Sequence, residues 1–154
     1  MRVSVIGGST VDERRRSLAE RVGRELGDRG HTLVCGGLGG VMRAACRGAR
    51  AADAQTVGIL PTADPADANE FVTTPVATGM GHARNALVAL NGAGVIAIDG
   101  GPGTLSEIGL ARAHGKPVAG LEAVVDSDRV PEVNGVEPCE TPVEAVEYVE
   151  RNVA

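Results

Sequence analysis

Val95-Ile-Ala-Ile98, running into Asp99-Gly-Gly-Pro-Gly-Thr-Leu-Ser-Glu107, is the stretch from which the rest of the chain is read. Its first four residues are apolar and mostly β-branched, which predicts a short buried strand. The strand empties into a glycine-rich turn, and Thr104 is expected to open a helix that carries Leu105 and Ile108 inward. A strand, a tight glycine loop and a helix N-terminus in succession make an anion site. Bare backbone N–H groups and the positive end of the helix dipole face whatever lies there. Glycines at 100, 101 and 103 let a phosphate approach the backbone and tolerate positive φ. The first expectation is a nucleotide or phosphate-ester pocket.

Working outward, strands and helices alternate along the chain. Arg2-Val-Ser-Val-Ile-Gly7 reads as a strand ending in Gly7-Gly8-Ser9-Thr10, with Thr10-Val-Asp-Glu13 as a capping box. The helix it opens carries Leu18, Val22 and Leu26 at i, i+4 and i+8, and Gly30 stops it. His31–Cys35 is a second strand, followed by Gly36-Gly-Leu-Gly-Gly40 and an Ala- and Arg-rich helix from Val41 to Ala52, with Met42, Ala45, Ala49 and Ala52 on one side. Gln55–Leu60 is a third strand, stopped by Pro61. Phe71–Val76 is a short fourth that Pro75 confines to an edge or a strand end. Residues 82–91 read as a helix with Leu87 and Leu90 facing in, and Pro117–Leu121 as a further strand. The segment Val124–Glu140 gives no clear pattern. Thr141-Pro-Val-Glu144 starts a last helix with proline at its first position and another capping box. The alternation predicts one Rossmann-like α/β domain spanning 1–154, a doubly wound and mostly parallel sheet with helices on both faces. Ligands of such sheets sit beyond the carboxyl ends of the strands, near the switch in strand order.

Composition narrows the partners. The 154 residues are 43% apolar but only 1% aromatic, with 22 glycines, so the core is aliphatic and base stacking on aromatic side chains is disfavoured. A net charge of −5 argues against general binding to nucleic acid or anionic membranes. Cys35, Cys46 and Cys139 are odd in number and lack metal-ligand spacing, so no metal site is expected, and reduced thiols in a cytoplasm are. The chain opens on a strand without a signal peptide, and no apolar run approaches membrane-spanning length.

The candidate residues each carry two readings. The loops Gly7-Gly8-Ser9 and Gly36–Gly40 match neither the Gly-x-Gly-x-x-Gly dinucleotide fingerprint nor a Walker motif. Each serves as a tight strand-to-helix turn or as part of a shared phosphate edge with Gly79 and Gly100-Gly101. Glu107 either closes a capping box with Thr104 or holds a carboxylate at the pocket mouth for ribose hydroxyls or acid–base work. Arg84 is a solvated surface residue or a bidentate clamp on phosphate. His82 is structural or a second donor, His31 and His114 lie at the surface beside helix ends, and Cys35 packs or touches ligand.

Asp99-Gly-Gly-Pro-Gly-Thr-Leu-Ser-Glu107 resembles the Pro-Gly-Gly-x-Gly-Thr-x-x-Glu signature of the Lonely guy and lysine-decarboxylase-like superfamily. Gly79-Met-Gly-His-Ala-Arg-Asn85 resembles its Met-x-x-Arg-Lys segment, and Gly36–Met42 and Gly58–Pro61 match its other landmarks. The resemblance covers most of residues 1–121. It implies catalytic roles for Arg84 and Glu107 in splitting the N-glycosidic bond of purine or cytokinin nucleoside monophosphates to free base and ribose 5-phosphate. It also implies a ligand-binding set of Gly7, Gly8, Ser9, Gly36, Gly37, Gly79, Met80, Asn85, Gly100, Gly101, Gly103 and Thr104, and a homodimer or larger homo-oligomer. Asp99 stands where the signature has Pro, and Asn85 where the segment has Lys. The spelling is closer to the branch containing the molybdenum cofactor carrier proteins, which bind a pterin phosphate without turnover. The leading expectation is therefore carrier-like binding of a phosphate-bearing small molecule, a nucleotide or molybdopterin-type ligand. The hydrolase and a non-catalytic nucleotide-sensing module stand as alternatives. A lysine decarboxylase would need its pyridoxal Schiff base on Lys116, the one lysine present.

Overall fold

A computed structural model describes residues 1–122 and 135–154. Seven strands, β1 (Arg2–Gly7), β2 (Thr32–Cys35), β3 (Thr56–Leu60), β4 (Thr74–Ala77), β5 (Gly94–Ile98), β6 (Val118–Leu121) and β7 (Val136–Cys139), form one sheet in the order β4-β3-β2-β1-β5-β6-β7. Every neighbouring pair is parallel. The chain winds outward from β1 to β4, then crosses back to β5 and winds the other way. The switch in strand order falls between β1 and β5, where a crevice opens at the carboxyl ends.

Five α-helices cover the sheet: α1 (Glu13–Asp28), α2 (Gly40–Ala51), α3 (Asn85–Asn91), α4 (Pro102–Ala113) and α5 (Pro142–Asn152). Alternation along β1 sends Val3 and Val5 to one face, and Ser4 and Ile6 to the other. The first face packs on Leu18, Val22 and Leu26 of α1, Ala45 and Ala49 of α2, and Val146 and Val149 of α5. The second packs on Val88 of α3 and Ile108 of α4, where the Ser4 hydroxyl donates to the carbonyl of Val88 at 2.7 Å. Small residues decide how closely α1 and α2 approach. A Cβ at Gly23 would collide with the carbonyl of Ala45, and one at Gly48 with the carbonyl of Glu20.

Several local expectations are corrected. Asp12, not Thr10, caps α1, its Oδ1 accepting from the Arg15 amide at 2.9 Å. The helix expected from Thr104 begins two residues earlier at Pro102, with Gly101 as its cap. Proline's fixed φ suits that first position, so Thr104 is already helical and no capping box with Glu107 forms. Thr141 does cap α5, while Glu144 reaches back to the amide of Glu140 instead of that of Thr141. The helix expected over 82–91 is a 3₁₀ turn at Gly81–Arg84 followed by the short α3, which buries Asn85, Val88 and Ala89 and leaves Leu90 exposed. Leu105 is only half-buried, while Ile108 is fully enclosed. Pro75 sits in the edge strand β4, as a residue without an amide donor requires. β7 arises inside the segment that carried no pattern, and residues 124–134 of that segment lie outside the described residues. Among the described residues no helix is long and apolar enough to cross a membrane.

Candidate functional site

The strand ends on either side of the switch point are held close by glycine. A Cβ at Gly7 would strike the carbonyl of Ile98 on β5, and one at Gly40 the carbonyl of Gly8. The Val41 amide donates to the Gly8 carbonyl at 3.0 Å, which fixes the loop after β1 against the start of α2. Beside these loops lies a cavity of about 430 Å³, within the range of small-molecule sites. Its apolar lining comes from Val5, Ile6, Leu38, Met42, Pro61 and Pro102.

Arg84 reaches this cavity through a sequence of turns. Thr78 donates its hydroxyl to the carbonyl of Leu60 at 2.6 Å, and the amides of Gly79 and Gly81 donate to the carbonyls of Thr62 and Pro61 at 2.9 Å each. Both glycines hold φ near +60°, the left-handed region that favours this residue. The bend returns the chain to the end of β3 and delivers Arg84 over the sheet edge. Its guanidinium occupies space that only glycine leaves free, because a Cβ at Gly36 would lie 2.6 Å from Arg84 Nη2. Nη1 donates to Asn85 Oδ1 and Nη2 to the Gly36 carbonyl at 3.4 Å, while Nε is buried without a hydrogen-bond partner. Asn85 Nδ2 donates to Ser106 Oγ at 3.1 Å, and Ser106 donates to the carbonyl of Gly103 at 2.6 Å. A polar chain thus links Arg84 to the first turn of α4.

That first turn has no side-chain cap. Pro102 brings no N–H, and the amides of Gly103 and Thr104 belong to the helix turn that lacks intrahelical acceptors. No atom lies within 4 Å of where a Cβ at Gly101 would sit, so the loop is open there. One turn further on, Glu107 is 7% exposed and its Oε1 lies 3.8 Å from Arg84 Nη1. Burial pushes the Glu107 carboxyl up to about 7, against the opposing pull of the Arg84 guanidinium. Burial also lowers the Arg84 guanidinium below its ordinary value, with the Glu107 charge working in the other direction. The pair joins a fixed cation to an acid that exchanges its proton near neutrality.

Ten of the expected residues line the cavity: Gly7, Gly8, Ser9, Gly36, Arg84, Asn85, Gly101, Gly103, Thr104 and Glu107. Gly37, Gly79, Met80 and Gly100 do not. Gly37 holds φ +76° against Gly58 and Leu60, Gly79 serves the bend before Arg84, Met80 is exposed, and Gly100 sits behind Thr104. Arg84, at 9% exposure, is not a solvated surface residue. His82 is exposed on the cavity rim. Cys35 is away from the lining, its sulfur 3.5 Å from Cys46 Sγ and accepting from the Gly37 amide. His31 is partly enclosed, its Nε2 2.8 Å from Glu150 of α5, whereas His114 is exposed at the end of α4. Val5, Ile6, Leu38, Met42, Pro61, Gly81 and Pro102 complete the lining without having been singled out as site residues, although each falls within or beside a quoted stretch. Ser106 had no sequence signal of its own. Among the described residues no cluster of His, Cys, Asp and Glu could hold a metal ion.

Fold and site together define a Rossmann-like α/β protein with a glycine-walled pocket at the switch point of a parallel sheet. The chain belongs to the SLOG cluster4 family, whose model matches residues 1–148. It is 40% identical to a protein of Archaeoglobus fulgidus over 148 residues, 96% of this chain and 93% of that one. Among solved structures it resembles the molybdenum cofactor binding protein of the phototrophic bacterium Rippkaea orientalis, with 30% identity, a TM-score of 0.91, and coverage of 99% of this chain and 97% of that one. It also resembles the molybdenum cofactor carrier protein of Chlamydomonas reinhardtii, with 28% identity, a TM-score of 0.85, and coverage of 97% and 96%.

Proposed function

We propose that the protein binds a phosphate-bearing small molecule, a nucleotide or a molybdopterin-type cofactor, and retains it as a carrier. The observation that carries this reading is the buried Arg84 guanidinium, with one N–H unpaired, on the same cavity as the uncapped start of α4. A phosphate there gains a charge-assisted hydrogen bond from Arg84 and the amides of Gly103 and Thr104. The apolar wall of Ile6, Leu38 and Met42 accommodates a heterocycle. Likeness to cofactor-binding and carrier proteins over nearly the whole chain supports the same conclusion. From the motif resemblance we further propose a cytoplasmic homo-oligomer, and light scattering on purified protein measures its assembly state.

Native mass spectrometry of freshly purified protein tests the reading. A co-purified phosphate-bearing species, lost in Arg84→Ala, is expected; ligand-free protein that also ignores added nucleotides contradicts it. One observation favours a second reading, hydrolysis of nucleoside monophosphates, because Glu107 at about 7 can exchange a proton beside the cavity. Incubation with 5′-AMP separates the two: a carrier leaves the nucleotide intact at long times, and a phosphoribohydrolase releases adenine.

A further inference from the structure

Glu107 is a charged group that phosphate binding leaves without a role, and its surroundings are at odds with a permanent charge. The side chain is nine-tenths buried and faces the cavity, with Arg84 Nη1 at 3.8 Å as its nearest charged neighbour. That separation is too long for a hydrogen bond. Arg84 directs Nη1 to Asn85 and Nη2 to the Gly36 carbonyl, and keeps Nε without a partner. Each member of the pair therefore retains unused hydrogen-bonding capacity, and both residues line the site.

Charge accounting decides what such a pair does when an anion arrives. With Glu107 ionised, Arg84 is already neutralised, and an incoming phosphate dianion meets a carboxylate in a site of low dielectric. With Glu107 protonated, the guanidinium charge is free, and the carboxyl becomes an O–H donor to a phosphoryl oxygen. We propose that Glu107 takes a proton from solvent when a phosphomonoester binds and holds it in the complex, so that Glu107 determines the acceptance of a doubly charged phosphoryl group. The proposal rests on the phosphate-binding reading above and adds the charge state of the ligand it selects.

Among the described residues the groups facing Glu107 are few. The 3₁₀ turn contributes the Arg84 cation, His82 stands exposed on the rim, and the Cys35 thiol of β2 lies behind the lining, engaged with Cys46 and the Gly37 amide. Asn85 from α3 and Ser106 from α4 are neutral, and the linings from β1 and from the start of α2 are glycine or apolar side chains. Burial keeps the free carboxyl near neutrality, which makes the proton available at physiological pH. The sign follows from linkage. Above about pH 7 the free site is ionised and binding must take up a proton, so affinity falls by up to about tenfold per pH unit. Below that pH the carboxyl is already neutral and contributes no slope.

Calorimetry of the full-length protein with 5′-AMP at pH 7.8, in Tris and in HEPES, counts the protons, because the two buffers differ in ionisation enthalpy. Close to one proton taken up per AMP is expected. The AMP methyl ester, with a single charge on its diester phosphate, binds more weakly. Glu107→Gln, an isostere of the neutral acid, binds AMP without proton uptake and with affinity constant between pH 7 and 9. Binding of AMP by the wild type with no proton uptake overturns the inference while leaving the phosphate site standing. Equal uptake in Glu107→Gln also overturns it, since the proton then resides on the phosphate. Failure of AMP to bind wild-type protein overturns the phosphate site and this inference together. Should Glu107→Gln not fold, the wild-type buffer comparison and pH slope decide alone.

Discussion

α1 and α4 start on the same edge of the sheet and start differently. Asp12 caps α1 with its own carboxylate, as Thr141 does for α5 with its hydroxyl. Gly101 stands at the cap of α4 and Gly39 at that of α2, with no side chain accepting from either first turn. The two capped ends are complete without a partner; of the two glycine ends, that of α2 gives its Val41 amide to the Gly8 carbonyl, while that of α4 exposes amides beside a cavity that also contains a buried arginine. The contrast teaches that this fold divides its helix starts between holding the protein together and holding something else.

Substitutions can break that division or sharpen it. The largest effect is expected at Glu107. Its folded carboxyl lies near 7 against an ordinary 4.5, so the native state binds a proton that the unfolded chain gives up first. Stability is then lost as pH rises through that window, by roughly 3 kcal/mol. Glu107→Gln removes the loss, and urea titrations should find it more stable than wild type at pH 8 and equal to it below about pH 4.5. An unchanged difference across pH would show that Glu107 carries no such cost. Next comes Arg84→Ala, which deletes a charge-assisted hydrogen bond and should weaken AMP binding by about 10- to 100-fold in calorimetry. Asp12→Ala should do the reverse of these site changes. Loss of the cap costs about 1 kcal/mol, a fall in melting temperature of roughly 2–4 °C, and AMP affinity stays unchanged. Gly101→Ala is the smallest in stability, under about 0.5 kcal/mol, since φ of −108° and open space accommodate the methyl group. That methyl should nonetheless lower AMP affinity, and a variant that binds as well as wild type would dissociate the α4 start from the ligand.

The strands and their order of helices were legible because periodicity and glycine punctuation agree across most of the chain. Leu18, Val22 and Leu26 predicted a buried helix face and form one. Capping was less legible, because Ser/Thr-x-x-Glu occurs at 10, 17, 104 and 141 and the backbone uses only the last as a cap. Entry angle decides this: Pro102 sets helical φ before Thr104 is reached. β7 escaped notice because Val136-Glu-Pro-Cys139 has no apolar alternation and pairs at an edge. Most of the site was visible as glycine loops. The burial of Arg84 was not, since it depends on a bend at 79–81 returning to β3 and on the missing side chain at Gly36, which is distant in sequence. Asn85 reads as a ligand contact from its motif, yet in the fold it braces Arg84 against Ser106.

The glycine contacts between α1 and α2, at Gly23 and Gly48, have a mechanical corollary. Helices pressed backbone to backbone slide or part only by breaking many contacts at once, so the loops they carry after β1 and β2 form a fixed jaw. The opposing jaw is lighter, made of the 3₁₀ turn and the first residues of α4. An opening that lets a ligand in or out is expected to hinge there. Spin labels placed across the exposed Glu13 and Arg47 should then report a constant separation, while a pair across Glu13 and Gly109 of α4 changes with loading.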